Sequence, residues 1–190
     1  HWESAIAGMW PVTCGTVGLH YIDPRGEAKN VIREIAQSEF IVAESMHGAI
    51  LADAFRVPWV AVTTSESINS FKWNDWAKTV GVEYRPRHVP VSSRTEAMIK
   101  GARFWGMGFE AQTVAEAANL RSVDDEVIVA TREPRQTFLR SAAKQVLAAP
   151  STLALWQATR AAPQLSSDSR LAERKERFQE ALAAVRRAYL

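Results

Sequence analysis

The chain has 190 residues, 47% of them apolar and 23% charged, with a formal net charge of +2. That balance suits an ordinary globular domain with a sizeable core and excludes the strongly basic footprint of a nucleic-acid binder. A single cysteine, Cys14, excludes an internal disulfide framework and a cysteine-based metal cluster, as fits a reducing compartment.

In chain order, Val17 to Asp23 alternates enough to predict a strand, and Asp23-Pro24-Arg25-Gly26 reads as a turn. Ala28, Val31, Ile32, Ile35 and Ala36 recur at helical spacing and predict an amphipathic helix over 26–38. The apolar run after it predicts a buried strand over 40–44, followed by a helix over 47–56 that ends before Pro58. Trp59 to Thr63 predicts another buried strand, residues 64–70 a polar loop, and Phe71 to Val80 a helix capped by Gly81. Residues 82–85 are expected to add a fourth strand before Pro86. The alternation β-α-β-α-β-α-β, with short connections, points to an α/β fold: a Rossmann-like parallel sheet flanked by helices.

Beyond residue 91, Ser92 or Ser93 is placed to cap a helix running to about Phe104. Residues 112–148 read as mostly helical, with Val127 to Val129 ambiguous between strand and helix, and Pro150 and the stretch 163–169 as breaks. Leu171, Phe178, Leu182, Val185 and Tyr189 then mark a last amphipathic helix. The expected division is a Rossmann-like domain over 1–110 and a mostly helical extension over 111–190. No run is long enough for a membrane span and no signal peptide opens the chain. A start on His1 in place of Met leads us to expect a fragment or a processed product.

The chemistry concentrates in two patches. In "ESMHGAILADAF", Glu44 to Phe55, the chain turns from strand into helix at the carboxyl edge of the expected sheet, where open α/β sheets bind ligands. His47 there could bind an anion or exchange a proton, or only pack. Gly48 would let a ligand approach the backbone, and Ser45 could contribute a hydroxyl, although a plain helix cap is the favoured reading. Glu44 could orient the imidazole, and Asp53 could face a neighbouring loop or solvent. In "NSFKWNDWAKTVG", Asn69 to Gly81, Lys72 and Asp75 stand at i, i+3 and could pair with each other, or Lys72 could meet an anion. Trp73 and Trp76 are read as packing. Arg25, Arg85 and Arg87 lie in loops, and His1, His20 and His88 lack metal-ligand spacing, so no metal site is expected.

Together, "ESMHGAILADAFRVPWVAV" and "FKWNDWAKTVG" resemble the polysaccharide pyruvyl transferase family, more closely its bacterial exopolysaccharide branch of ketal pyruvyltransferases. The matching elements are Ser45, His47 and Gly48; Ala52 and Asp53; Pro58 and Trp59; and Lys72, Trp73, Asp75 and Trp76. The opening His1-Trp2-Glu3 resembles the end of a strand in that branch. The resemblance covers about residues 1–92. Ser45 stands where many relatives carry an arginine, which makes Lys72 and Arg25 candidates for the charge that arginine would bring. The resemblance implies the C-terminal domain of a GT-B-like fold, two Rossmann-like domains facing one cleft, so an N-terminal domain would be needed for part of the acceptor site.

It also implies transfer of a pyruvyl group from phosphoenolpyruvate, a donor substrate with no further cofactor, to sugar hydroxyls of an exopolysaccharide or its lipid-linked precursor. His47 is then the catalytic candidate, with Ser45, Gly48, Lys72, Asp75 and Arg25 binding substrate. The expected setting is cytoplasmic, at the inner face of the cell membrane, with peripheral membrane contact and homo-oligomerisation left open and no nucleic-acid partner. A GT-B glycosyltransferase using a nucleotide sugar and a non-catalytic docking domain remain the alternatives.

Overall fold

The computed structural model describes residues 1–66, 68–117 and 145–189. The expectation for Val127 to Val129 lies outside them. The chain opens with two short helices, α1 (Trp2–Ala7) and α2 (Trp10–Thr16), followed by α3 (Ala28–Ala36), β1 (Ile41–Ala43) and α4 (Met46–Ala54). Then come β2 (Trp59–Thr63), α5 (Ser70–Val80), β3 (Arg87–His88) and α6 (Arg94–Lys100). A small hairpin of β4 (Arg103–Phe104) and β5 (Met107–Gly108) follows, and the helices α7 (Ala149–Thr159) and α8 (Asp168–Tyr189) come later in the chain.

The main sheet has three strands in the order β1-β2-β3, all parallel, with Ile41 opposite Trp59 and Thr63 opposite His88. β2 is central and buried on both faces because its side chains alternate between two cores. Trp59 and Ala61 join Ile35, Ala49, Ala52 and Trp73 on one side. Val62 joins Trp10, Val89, Leu155 and Ala158 on the other. Helices α3, α4 and α5 thus cover one face, and α2 and α7 the other.

Aromatic packing holds α5 to the sheet. Trp59 lies with ring centroids 5.4 Å from Trp76 and 6.2 Å from Trp73, and Tyr84 stacks on Trp73 at 4.7 Å. Asn69 caps α5 by accepting from the Lys72 amide, and Gly81 ends it in the left-handed region at φ 75°, where glycine is the least strained residue.

Several expectations are corrected. Residues 17–23 form no strand. Leu19 and Tyr21 pack inward while His20 faces out to Glu34 at 2.7 Å, so the alternation is real, but no neighbouring strand supplies ladder hydrogen bonds. Residues 82–85 behave alike: Val82 and Tyr84 pack inward, and pairing with β2 begins only after Pro86, at Arg87. The opening His1-Trp2-Glu3 leads into a helix, not a strand end. Pro150, by contrast, marks a break as expected: a turn at Ala148 separates α7 from the residues before it, and Pro150 sits in the first turn of α7, where a missing N–H costs nothing. The predicted helix to Phe104 ends earlier, at Gly101, whose φ of 61° closes α6 and releases the chain into the hairpin.

Candidate functional site

β1 is an apolar strand that ends against Glu44, and the backbone of Ser45 is extended before α4 begins at Met46. This places His47 in the first turn of the helix, at the carboxyl edge of the sheet and exposed. Ser45 occupies the N-cap position, but its hydroxyl makes no capping hydrogen bond, contrary to the favoured reading. A Cβ built on Gly48 would meet nothing closer than the Ala43 Cβ at 4.0 Å. The protein's own packing therefore does not require glycine there.

Ser45, His47 and Gly48 border a chamber of about 290 Å³ that runs between the end of β1 and the extended segment carrying Tyr21 and Pro24. Most of its wall is apolar; its polar groups include His1, Tyr21, Glu44 and Thr64. Burial first, then the Asp23 charge, push the Tyr21 phenol up to about 12, so it faces the chamber as a neutral hydroxyl. Arg25 does not line the chamber; it is exposed and tied to Asp23 at 2.6 Å. The structure does not bring Lys72 and Asp75 to this chamber. Both are exposed on α5, with no ion pair between them.

Glu44 does not orient His47. It accepts from Ser4 Oγ at 2.6 Å, from the His1 amino nitrogen at 2.9 Å, from Lys100 Nζ at 2.7 Å and from Thr64 Oγ1. Lys100 also donates to Glu96 at 3.0 Å, to Ser4 and to Thr64. Glu96, fully buried, further accepts from Trp10 Nε1, Ser92 N and Ser92 Oγ, each at 2.9 Å. The result is a buried network of the Lys100 ammonium and two carboxylates at the strand ends, with the exposed His1 amino group at its edge. Sequence reasoning missed it. Its signal, Glu96 and Lys100 at i, i+4 among Ala97 and Met98, looks like any surface pair until α6 is packed on α1.

Burial alone would raise the Glu44 carboxyl, but Lys100, the His1 amino group and the hydrogen bonds from Lys100 and Ser4 outweigh it and hold the group at about 2, against an ordinary 4.5. A carboxyl depressed in the folded state stabilises the fold above its unfolded value, and that stabilisation fades as pH falls. Thermal unfolding followed between pH 5 and pH 2 is therefore expected to lose stability across the window from 4.5 down to about 2, with a shallower slope in Glu44→Gln. An identical slope in the variant would show that the exposed carboxylates carry the whole acid response.

Among the described residues, no group of three His, Cys, Asp or Glu side chains is arranged to hold a metal ion, and no helix is long and apolar enough to cross a membrane. Residues 15–66, which span α3, β1, the His47 turn and β2, match the family described as polysaccharide pyruvyl transferase. Over all its 190 residues the chain is 73% identical to the succinoglycan biosynthesis protein ExoV of Rhizobium meliloti (strain 1021), and it spans 60% of that protein's length. No solved structure matches the chain.

Proposed function

Because the chain belongs to the polysaccharide pyruvyl transferase family, we propose that it forms part of an enzyme that moves a pyruvyl group from phosphoenolpyruvate onto two hydroxyls of a sugar, closing a cyclic ketal and releasing phosphate. The proposed acceptor is an exopolysaccharide or its lipid-linked precursor, in keeping with the relative's role in succinoglycan biosynthesis. The proposed setting is the cytoplasmic side of the membrane, and the proposed architecture of the whole enzyme is two Rossmann-like domains facing one cleft, GT-B fashion.

The observation that carries this reading is the His47 turn: an exposed imidazole at a helix N-terminus, beside a chamber, followed by a glycine that packing does not demand. The reaction needs a proton delivered to the donor's methylene carbon. One sugar hydroxyl adds to the neighbouring carbon and loses its proton; the second displaces phosphate and loses its own. A protonated imidazole can hold the anionic donor and supply the methylene proton. The amides of the first turn of α4 point toward negative charge, and Gly48 leaves them open to close approach. Tyr21 offers a neutral hydroxyl from the opposite wall.

Calorimetric titration of phosphoenolpyruvate into this chain tests the reading. Removing a hydrogen bond to a charged ligand costs about tenfold or more in affinity, and His47→Ala should show that loss. Gly48→Ala should weaken binding too while raising stability by about 0.5–1 kcal/mol, as alanine favours a helix. Undiminished binding in His47→Ala, or binding of a UDP-sugar in place of phosphoenolpyruvate, would overturn the assignment; the latter outcome would favour a nucleotide-sugar glycosyltransferase.

A further inference from the structure

The His47 turn uses only one side of the strand ends. On the other side, outside the carboxyl ends of β2 and β3, lies a crevice of about 800 Å³. Its size falls in the range of small-molecule sites, about 300–1,000 Å³. Its lining differs from that of the apolar chamber: hydroxyls from Thr64, Ser65 and Ser70, and cationic or titratable groups from His88, Lys100 and Arg103. Lys100 is committed to Glu44 and Glu96. His88 and Arg103 are exposed, and neither is held by a carboxylate among the described residues. Among the described residues lining the crevice, the one carboxylate is Glu66. Thr64 borders both cavities, and the Lys100–Glu44 pair forms the partition behind it.

A guanidinium is a planar fork that matches a phosphate or carboxylate bidentately, and hydroxyls set among the apolar faces of Tyr84, Pro86 and Pro90 suit a polyhydroxylated body that also has apolar faces. We infer that this crevice seats an anionic saccharide, its phosphate or carboxylate held by Arg103 with His88 beside it, and its hydroxyls carried toward Thr64 and the neighbouring chamber. That the saccharide is the acceptor rests on the pyruvyl transfer proposed above; that the crevice binds it does not.

Glucose 6-phosphate, glucose and inorganic phosphate titrated separately into the full chain provide the test. Glucose 6-phosphate should bind more tightly than either of the others. Arg103→Ala should weaken it about tenfold or more, Arg103→Lys less, since charge remains and the fork is lost, and His47→Ala should leave it intact. Melting curves of the variants check that each is folded; Arg103 is exposed in a hairpin, so its replacement should not unfold the chain. Equal binding of phosphate alone would reduce the crevice to a plain anion patch, and unchanged binding in Arg103→Ala, or none in the wild type, would overturn the inference. Phosphoenolpyruvate titrated into the same samples separates the two readings. If glucose 6-phosphate binds and phosphoenolpyruvate does not, the crevice stands and the donor assignment falls.

Discussion

Lys100→Met should lower the free energy of unfolding by about 3–5 kcal/mol, the usual cost of stripping one partner from a buried ion pair. The methionine keeps most of the length and volume, so little of that loss can come from a cavity. What changes is charge. The Lys100 side chain is 2% exposed and lies between Glu96, which is fully buried, and Glu44, which is 12% exposed. Without the ammonium, Glu96 is left with only neutral donors, and Glu44 keeps the exposed His1 amino group as its one cationic partner among the described residues. Adding Glu96→Gln to Lys100→Met should recover part of the loss, because one of the stranded charges is then gone. Urea unfolding of the wild type, both single variants and the double variant measures this directly. A loss below about 1 kcal/mol would mean that water screens the cluster as it does a surface pair. The network also joins α1, the ends of β1 and β2, and α6, so its loss should loosen both cavities at once.

What the residue pattern shows, and what it hides, follows from one distinction. Alternating burial reports an extended chain with one side against a core; it does not report pairing. Val82 and Tyr84, like Leu19 and Tyr21, have the period of a strand and pack one side inward, yet neither stretch pairs with a strand among the described residues. Trp59 to Thr63 was legible to its ends because four of its five residues favour strands and Trp59 to Val62 are buried in succession, on both faces, as in a central strand. Helix α5 was legible because its punctuation is local: Asn69 at one end and Gly81 at the other. The His47 turn could be located because strand, turn and helix are contiguous in the chain. The Lys100 network could not, since Ser4, Glu44 and Thr64 lie 96, 56 and 36 residues away from it and the local i, i+4 spacing to Glu96 looks like that of a surface pair. The crevice at Arg103 was illegible for the same reason: its lining is gathered from β2, α5, β3, α6 and β4.

Asp53→Ala should cost about 3 kcal/mol and act chiefly on a segment far along the chain. Asp53 is 2% exposed, near the end of α4, and its carboxylate serves three donors: Ser166 N at 2.8 Å, Ser166 Oγ at 2.5 Å and Trp59 Nε1 at 3.2 Å. Truncation strands these buried donors, each at about 1–3 kcal/mol if unsatisfied, with some recovered by relaxation. The Ala52-Asp53 pair that contributes to the family resemblance thus has a structural use here. It pins the stretch between α7 and α8, which also pairs with the start of β2 through Gln164 and receives Arg56 Nη2 on the Ser166 carbonyl at 2.6 Å. The stretch around 163–169 does break the helical run, as its composition suggests, but it is bolted to the sheet. Asp53→Asn keeps one acceptor oxygen and should lose about half as much. Hydrogen exchange at the Ser166 amide, set beside global unfolding, distinguishes the outcomes. Selective loss of protection near Ser166 and at the start of α8 means that the carboxylate is the local bolt. A uniform drop across the chain would mean instead that Asp53 acts through Trp59 and the core behind it.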